Sequence, residues 1–103
     1  MSNLAVSGDT IVEYDISTVD KGAGQLTIEG TAQTLVDVEG ALVLVQGQTV
    51  QGAHTITLGA THSPLIDIDG VPVLRIGDTG TDAGGHPLSP IEGPAQTLVS
   101  EDP

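Results

Sequence analysis

The chain has no cysteine, no tryptophan and no phenylalanine, and Tyr14 is its single tyrosine. Without cysteine no disulfide can staple the fold and no thiolate can ligate a metal. Without large rings a core has to be thin and regular, filled by Val, Leu, Ile and Ala stacked between strands. Positive charge is nearly missing too: Lys21 and Arg75 stand against fourteen Asp and Glu, for a formal net charge of -12. Phosphate backbones and anionic lipid both demand clustered Lys and Arg, so this balance argues against nucleic acid and against docking on an anionic membrane. An acidic excess serves solubility first and attraction of cations second. Long apolar runs are absent, and the opening MSNLAVSGDT has neither a basic region nor an apolar core. These features predict synthesis in the cytoplasm without a signal peptide.

What is present points to β structure. A length of 103 residues predicts one domain, 1–103, with room for only a small core. Fourteen glycines and six prolines are scattered so that few windows could hold a helix, and every proline lies from Pro64 onward. The fold class expected is all-β. A turn at Ser7-Gly8-Asp9 leads into a strand over residues 10–14, a polar loop covers 15–24, and a second strand covers 25–29.

A repeat follows. Residues 35–50 read LVDVEGALVLVQGQTV and residues 65–80 read LIDIDGVPVLRIGDTG; seven of the sixteen positions are identical without a gap. Each copy alternates apolar and polar residues, turns at Glu39-Gly40 or Asp69-Gly70, and continues as an apolar strand to Gly47 or Gly77. Residues 28–36, IEGTAQTLV, recur as 91–99, IEGPAQTLV, with eight of nine positions the same. Gly8-Asp9-Thr10, Gly47-Gln48-Thr49 and Gly77-Asp78-Thr79 echo one another. The expectation is about three imperfect turns of one β unit, the first and last incomplete.

His54, His62 and His86 are the only histidines, and all fall in loops. His54 and His86 end glycine-rich tails at nearly equivalent places after the two hairpins. If successive hairpins stack, these loops converge at one end. Three imidazoles suit Zn, and suit Fe or Ni as well; a fourth ligand would be water, a backbone oxygen or a carboxylate such as Asp82. Solvent-exposed loop histidines are the plainer reading. No nucleophile triad and no phosphate loop is present. The alternation of Asp67 and Asp69 beside a turn fits a solvated face.

The string from Gly70 to Asp78, Gly-Val-Pro-Val-Leu-Arg-Ile-Gly-Asp, resembles the signature of the PAAR-repeat proteins, which runs roughly V-x-I-N-G-x-P-A-A-R-x-G-D. The resemblance covers about the last 70 residues well and keeps the Pro and Arg of the namesake tetrapeptide as Pro72 and Arg75. It implies a small cone-like stack of β-hairpins with a structural metal near its point, zinc or, in some related phage spikes, iron. Carried over, the metal residues would be His54, His62 and His86; the Cys that usually joins them is missing. The function implied is structural and non-enzymatic. The cone would cap a trimeric β-helical spike or hub protein of the valine-glycine repeat (VgrG-like) kind, as a monomer on a trimer. It would form the tip of a type VI secretion or contractile phage-tail apparatus, would meet a target membrane transiently, and could carry effector cargo. A second expectation is a self-trimerising phage baseplate spike with an axial metal ion. A third is a metal-dependent hydrolase using the three histidines, with Glu92 as base.

Overall fold

The computed structural model describes residues 2–16 and 21–101. Its strands are short and pair antiparallel: β1 (Ser2–Asn3), β2 (Thr10–Glu13), β3 (Gly24–Thr27), β4 (Asp37–Val38), β5 (Ala41–Leu42), β6 (Thr49–Gln51), β7 (Thr55–Leu58), β8 (Asp67–Ile68), β9 (Val71–Pro72), β10 (Gly80–Asp82) and β11 (Ser100–Glu101). No helix occurs among the described residues, and the fold is all-β. Residues 17–20 of the expected 15–24 loop lie outside the described residues. β3 stops at Thr27 rather than at residue 29, because the Ile28 carbonyl takes its N–H from Gly8 (2.9 Å) while the Asp9 N–H turns back to Val6.

The centre of the molecule is a ring of three extended segments. The Ala5 N–H donates to the Leu74 carbonyl, the Leu74 N–H to the Leu44 carbonyl, and the Leu44 N–H back to the Ala5 carbonyl, each at 2.9 Å. Bridges between Leu4 and Arg75, Val6 and Val43, and Val45 and Val73 follow the same cycle. Each segment then enters the same turn. The N–H of Asp9, Gln48 or Asp78 donates to the carbonyl of Val6, Val45 or Arg75 at 3.0, 3.1 and 3.0 Å. The third turn residue is Gly8, Gly47 or Gly77, with φ of 106, 92 and 97°. A side chain there would be strained, which is why the Gly-Asp/Gln-Thr echo is kept in all three copies.

Successive residues of an extended segment face opposite ways, so this ring divides two cores. Ala5, Leu44 and Leu74 join Ile11, Ile28, Val50, Ile56, Leu58 and Ile91 on one side. Leu4, Val6, Val43, Val45 and Val73 join Val38 on the other. Each fully buried Ile or Leu contributes about 1.5–3 kcal/mol, so aliphatic side chains alone can sustain a domain of this size.

On the valine side, β4 pairs β5 and β8 pairs β9 across two-residue turns. Both turn residues have positive φ, 52 and 87° at Glu39-Gly40 and 54 and 84° at Asp69-Gly70, as a type I′ hairpin needs. The third equivalent place is taken by β1 and β11, which pair Ser2 with Glu101 and Asn3 with Ser100. The first and last partial repeats are thus two halves of one unit, and they close the ring. On the opposite side β7 lies between β6 and β10. β2 likewise lies between β3 and the segment 88–92, which it meets at Thr10–Glu92 and Glu13–Leu88. The molecule is elongated, 41 × 24 × 23 Å.

Candidate functional site

Beyond the ends of β2, β7 and β10, three loops meet; this end is called the apex below. Glu13, the last residue of β2, is 1% exposed and its carboxylate ties the loops together. Its Oε1 accepts the Ala23 N–H (2.8 Å) and the Ala53 N–H (2.7 Å), and the His54 N–H also bonds the carboxylate. Asp82, at the end of β10, accepts the Gly84 N–H through Oδ1 (2.7 Å). The two carboxyl groups are hydrogen-bonded to each other. Burial works to raise the Glu13 pKa, but the bonds from Asp82, Ala53, Ala23 and His54 outweigh it and hold the group down to about 2. Burial, together with the neighbouring Glu13, pushes Asp82 up.

The histidines complete this end. His86 is 3% exposed, and its Nδ1 lies 2.7 Å from the Tyr14 carbonyl. A carbonyl can only accept, so Nδ1 carries a proton. The His54 ring packs tilted against the His86 ring, centroids 5.3 Å apart. Two glycines permit the closure. A Cβ on Gly84 would collide with the His54 ring, and one on Gly52 would stand 2.6 Å from Glu13 Oε1. Three buried side-chain atoms here meet no fixed donor among the described residues: Glu13 Oε2, Asp82 Oδ2 and His86 Nε2. The bond between the two carboxyl groups, with the proton on Asp82, satisfies the first two.

His62 is elsewhere. His54 precedes β7 and His62 follows it, so the strand's length of roughly 13 Å separates them. His62 Nδ1 lies 3.0 Å from the Ser63 carbonyl, and the residue lines a groove with Pro64, Leu65, Ile66, Asp67 and Pro72. The His62 loop therefore lies away from the loops of His54 and His86. Among the described residues no three His, Asp or Glu groups already stand as a ligand set around one point. Glu13 was not legible as part of this end, since it reads as an ordinary polar position of a strand. The signal that could have found it is its place at the end of β2, the same number of residues after the turn glycine Gly8 as Asp82 at the end of β10 is after Gly77. Glu92 is exposed, and its main chain pairs Thr10.

The opposite end carries a second feature. Gln33 Oε1 accepts the N–H groups of Leu35 and Val36 (2.7 and 3.0 Å). Ser63 Oγ does the same for Leu65 and Ile66 (3.1 and 2.9 Å), and Gln96 Oε1 for Leu98 and Val99 (2.7 and 2.8 Å). The carbonyls of Val36, Ile66 and Val99 then receive the N–H groups of Val43, Val73 and Leu4 at 3.1, 3.0 and 3.1 Å. These three identical devices leave Leu35, Leu65 and Leu98 turned outward, 72, 66 and 66% exposed. Three leucines thus stand at equivalent positions around the ring axis. No family model, curated protein or solved structure matches the chain.

Proposed function

We propose that this chain is a non-enzymatic tip module that caps a threefold-symmetric partner. The observation that carries the reading is the approximate threefold order of the end bearing Leu35, Leu65 and Leu98. A single chain has no need of three matching apolar positions for its own folding, and each exposed leucine forgoes burial worth about 1.5–3 kcal/mol. A partner with three like chains would meet each of them with the same pocket, and that is the end a trimeric β-helical spike or hub protein presents. The resemblance of Gly70–Asp78 to the PAAR signature supports the same assignment. In it the apex loops point away from the spike, as the tip of a contractile injection apparatus or phage tail. There it would meet the target membrane after delivery outside the cell.

The test is co-purification with a trimeric β-helical spike protein carried by the same genome. One chain per three partner chains is expected, with binding lost in the triple variant Leu35→Asp, Leu65→Asp, Leu98→Asp. A self-trimerising spike is the competing outcome. A stable species at three times the 10.4 kDa chain mass, with no affinity for the partner, would replace the capping reading by that one.

A further inference from the structure

We propose that the groove between β3 and β6 takes an extended peptide segment, basic and aliphatic in alternation, as an added β-strand. This surface lies across the ring from the three leucines and does not rest on the capping reading.

Three hairpin-like units stand on this side of the ring: β2 with β3, β6 with β7, and β10 with the segment 88–92. Their bases are alike. The N–H groups of Ile28, Leu58 and Ile91 donate to the carbonyls of Asp9, Gln48 and Asp78 at 2.8, 2.8 and 2.9 Å. Two of the joints between units are closed by antiparallel main-chain pairing. β7 pairs β10, and Thr10 of β2 exchanges two bonds with Glu92, at 2.9 and 2.7 Å. The third joint, between β3 and β6, has no ladder. The Gln48 side chain stands in for one at its base. Nε2 donates to the carbonyls of Glu29 and Thr49 (2.9 and 3.0 Å), and Oε1 accepts the N–H groups of Thr31 and Ala32 (3.0 and 2.9 Å). Beyond Gln48 the joint is a groove of about 310 Å³, in which Leu26 and Val50 are the residues that pack toward the core.

The edges of this groove are unpaired. In an antiparallel ladder alternate residues turn their N–H and C=O groups away from the partner strand. Ile28 and Leu58 bond inward at the base, so in register Leu26 bonds Ile11 and Val50 bonds Ile56. Thr27 on β3, and Thr49 and Gln51 on β6, therefore turn their main-chain groups toward the groove. Thr10, opposite Thr27, turns the other way to meet Glu92, as this alternation requires. Among the described residues no main-chain group answers Thr27 or Gln51 across the joint. Such an edge is a template for one more strand.

The lining sets the chemistry of the occupant. A side chain turned inward from an added strand meets Leu26 and Val50, which suits an aliphatic residue. Its neighbours turn to solvent beside Glu29. The chain carries a net charge of -12, and neither Lys21 nor Arg75 lines the groove, so Lys or Arg is favoured at those outward places. A second copy of this chain, equally acidic, is disfavoured for the same reason.

The probe is a short peptide alternating lysine and valine, titrated into the full chain and followed by NMR. Saturable binding is expected, with amide exchange slowed at Thr27, Thr49 and Gln51. The same peptide with glutamate in place of lysine should not bind. Two further forms, methylated at the valine or at the lysine main-chain nitrogens, should each bind about tenfold more weakly or worse, because both edges of the added strand are used. Thr49→Pro removes one outward N–H at an edge, where proline is tolerated, and should weaken binding likewise. The methylated probes leave the protein untouched and keep the test decisive should that variant fail to fold. The triple variant Leu35→Asp, Leu65→Asp, Leu98→Asp should bind the probe as the parent does. Binding that survives either methylation overturns the inference, since charge attraction alone would then explain it. So do absence of saturable binding, unchanged exchange at Thr27, Thr49 and Gln51, loss of binding in the triple leucine variant, and pairing of two copies of the chain through this groove.

Discussion

Glu13 is a hub made from one side chain. Its Oε1 receives main-chain N–H groups from Ala23 and Ala53, forty residues away from it in the second case. Replacing it with Ala takes the acceptor away from both donors. A loss of about 1–3 kcal/mol is expected for each such donor, read as a lowered denaturant midpoint with unchanged slope. Gly84→Ala should cost about 1–3 kcal/mol by overpacking, since the new methyl group would meet the His54 ring. The sequence marked His54 and His86 as partners because they end equivalent glycine-rich tails. It marked His62 on the same ground of loop placement, and the structure sets that loop apart, because a loop that enters a strand and a loop that leaves it lie at opposite ends of it. Glu13 stayed hidden because its role comes from tertiary neighbours at residues 23, 53 and 82, none of them near it in a motif.

At the scale of the element, the repeat is a strand, a type I′ or open end, a second strand, a glycine turn and a side-chain clasp. The hairpin turns at Glu39-Gly40 and Asp69-Gly70 and the glycine turns at Gly47 and Gly77 were all readable, since turn chemistry is local. The clasp was only half readable. Gln33 and Gln96 announced themselves through the shared Ala-Gln-Thr-Leu-Val, but Ser63 does the same work with a shorter side chain and without the Ala-Gln-Thr of the other two. Gln96 also donates to the carbonyls of Leu4 and Val99 (3.0 and 2.8 Å) and is 8% exposed. Gln96→Ala should therefore destabilise by about 2 kcal/mol, measured by chemical unfolding, and more than Ser63→Ala does. The pairing of β1 with β11 was not readable, because nothing in either short segment names its partner across the whole chain.

For the whole molecule, the ring decides what is rigid and what is spare. Ile56→Ala, in the dry core, should cost about 2–5 kcal/mol, whereas Leu65→Ala should stay within about 0.5 kcal/mol while weakening capture of the trimeric partner. In isolation the chain should sediment at its monomer mass of 10.4 kDa, with a radius of gyration near the 13.1 Å of its Cα trace. The ring has one more consequence, and it concerns time. Ala5, Leu44 and Leu74 must all be present before the cycle of three hydrogen bonds exists, and Leu4 must wait for Val99. No two-thirds portion of the chain owns a closed version of this structure. Folding has to search for contacts across nearly its full length, which places it among slow folders, on the order of milliseconds to seconds rather than microseconds. On the ribosome the ring can close only once Leu74 has emerged, and the Leu4–Val99 bond only after that.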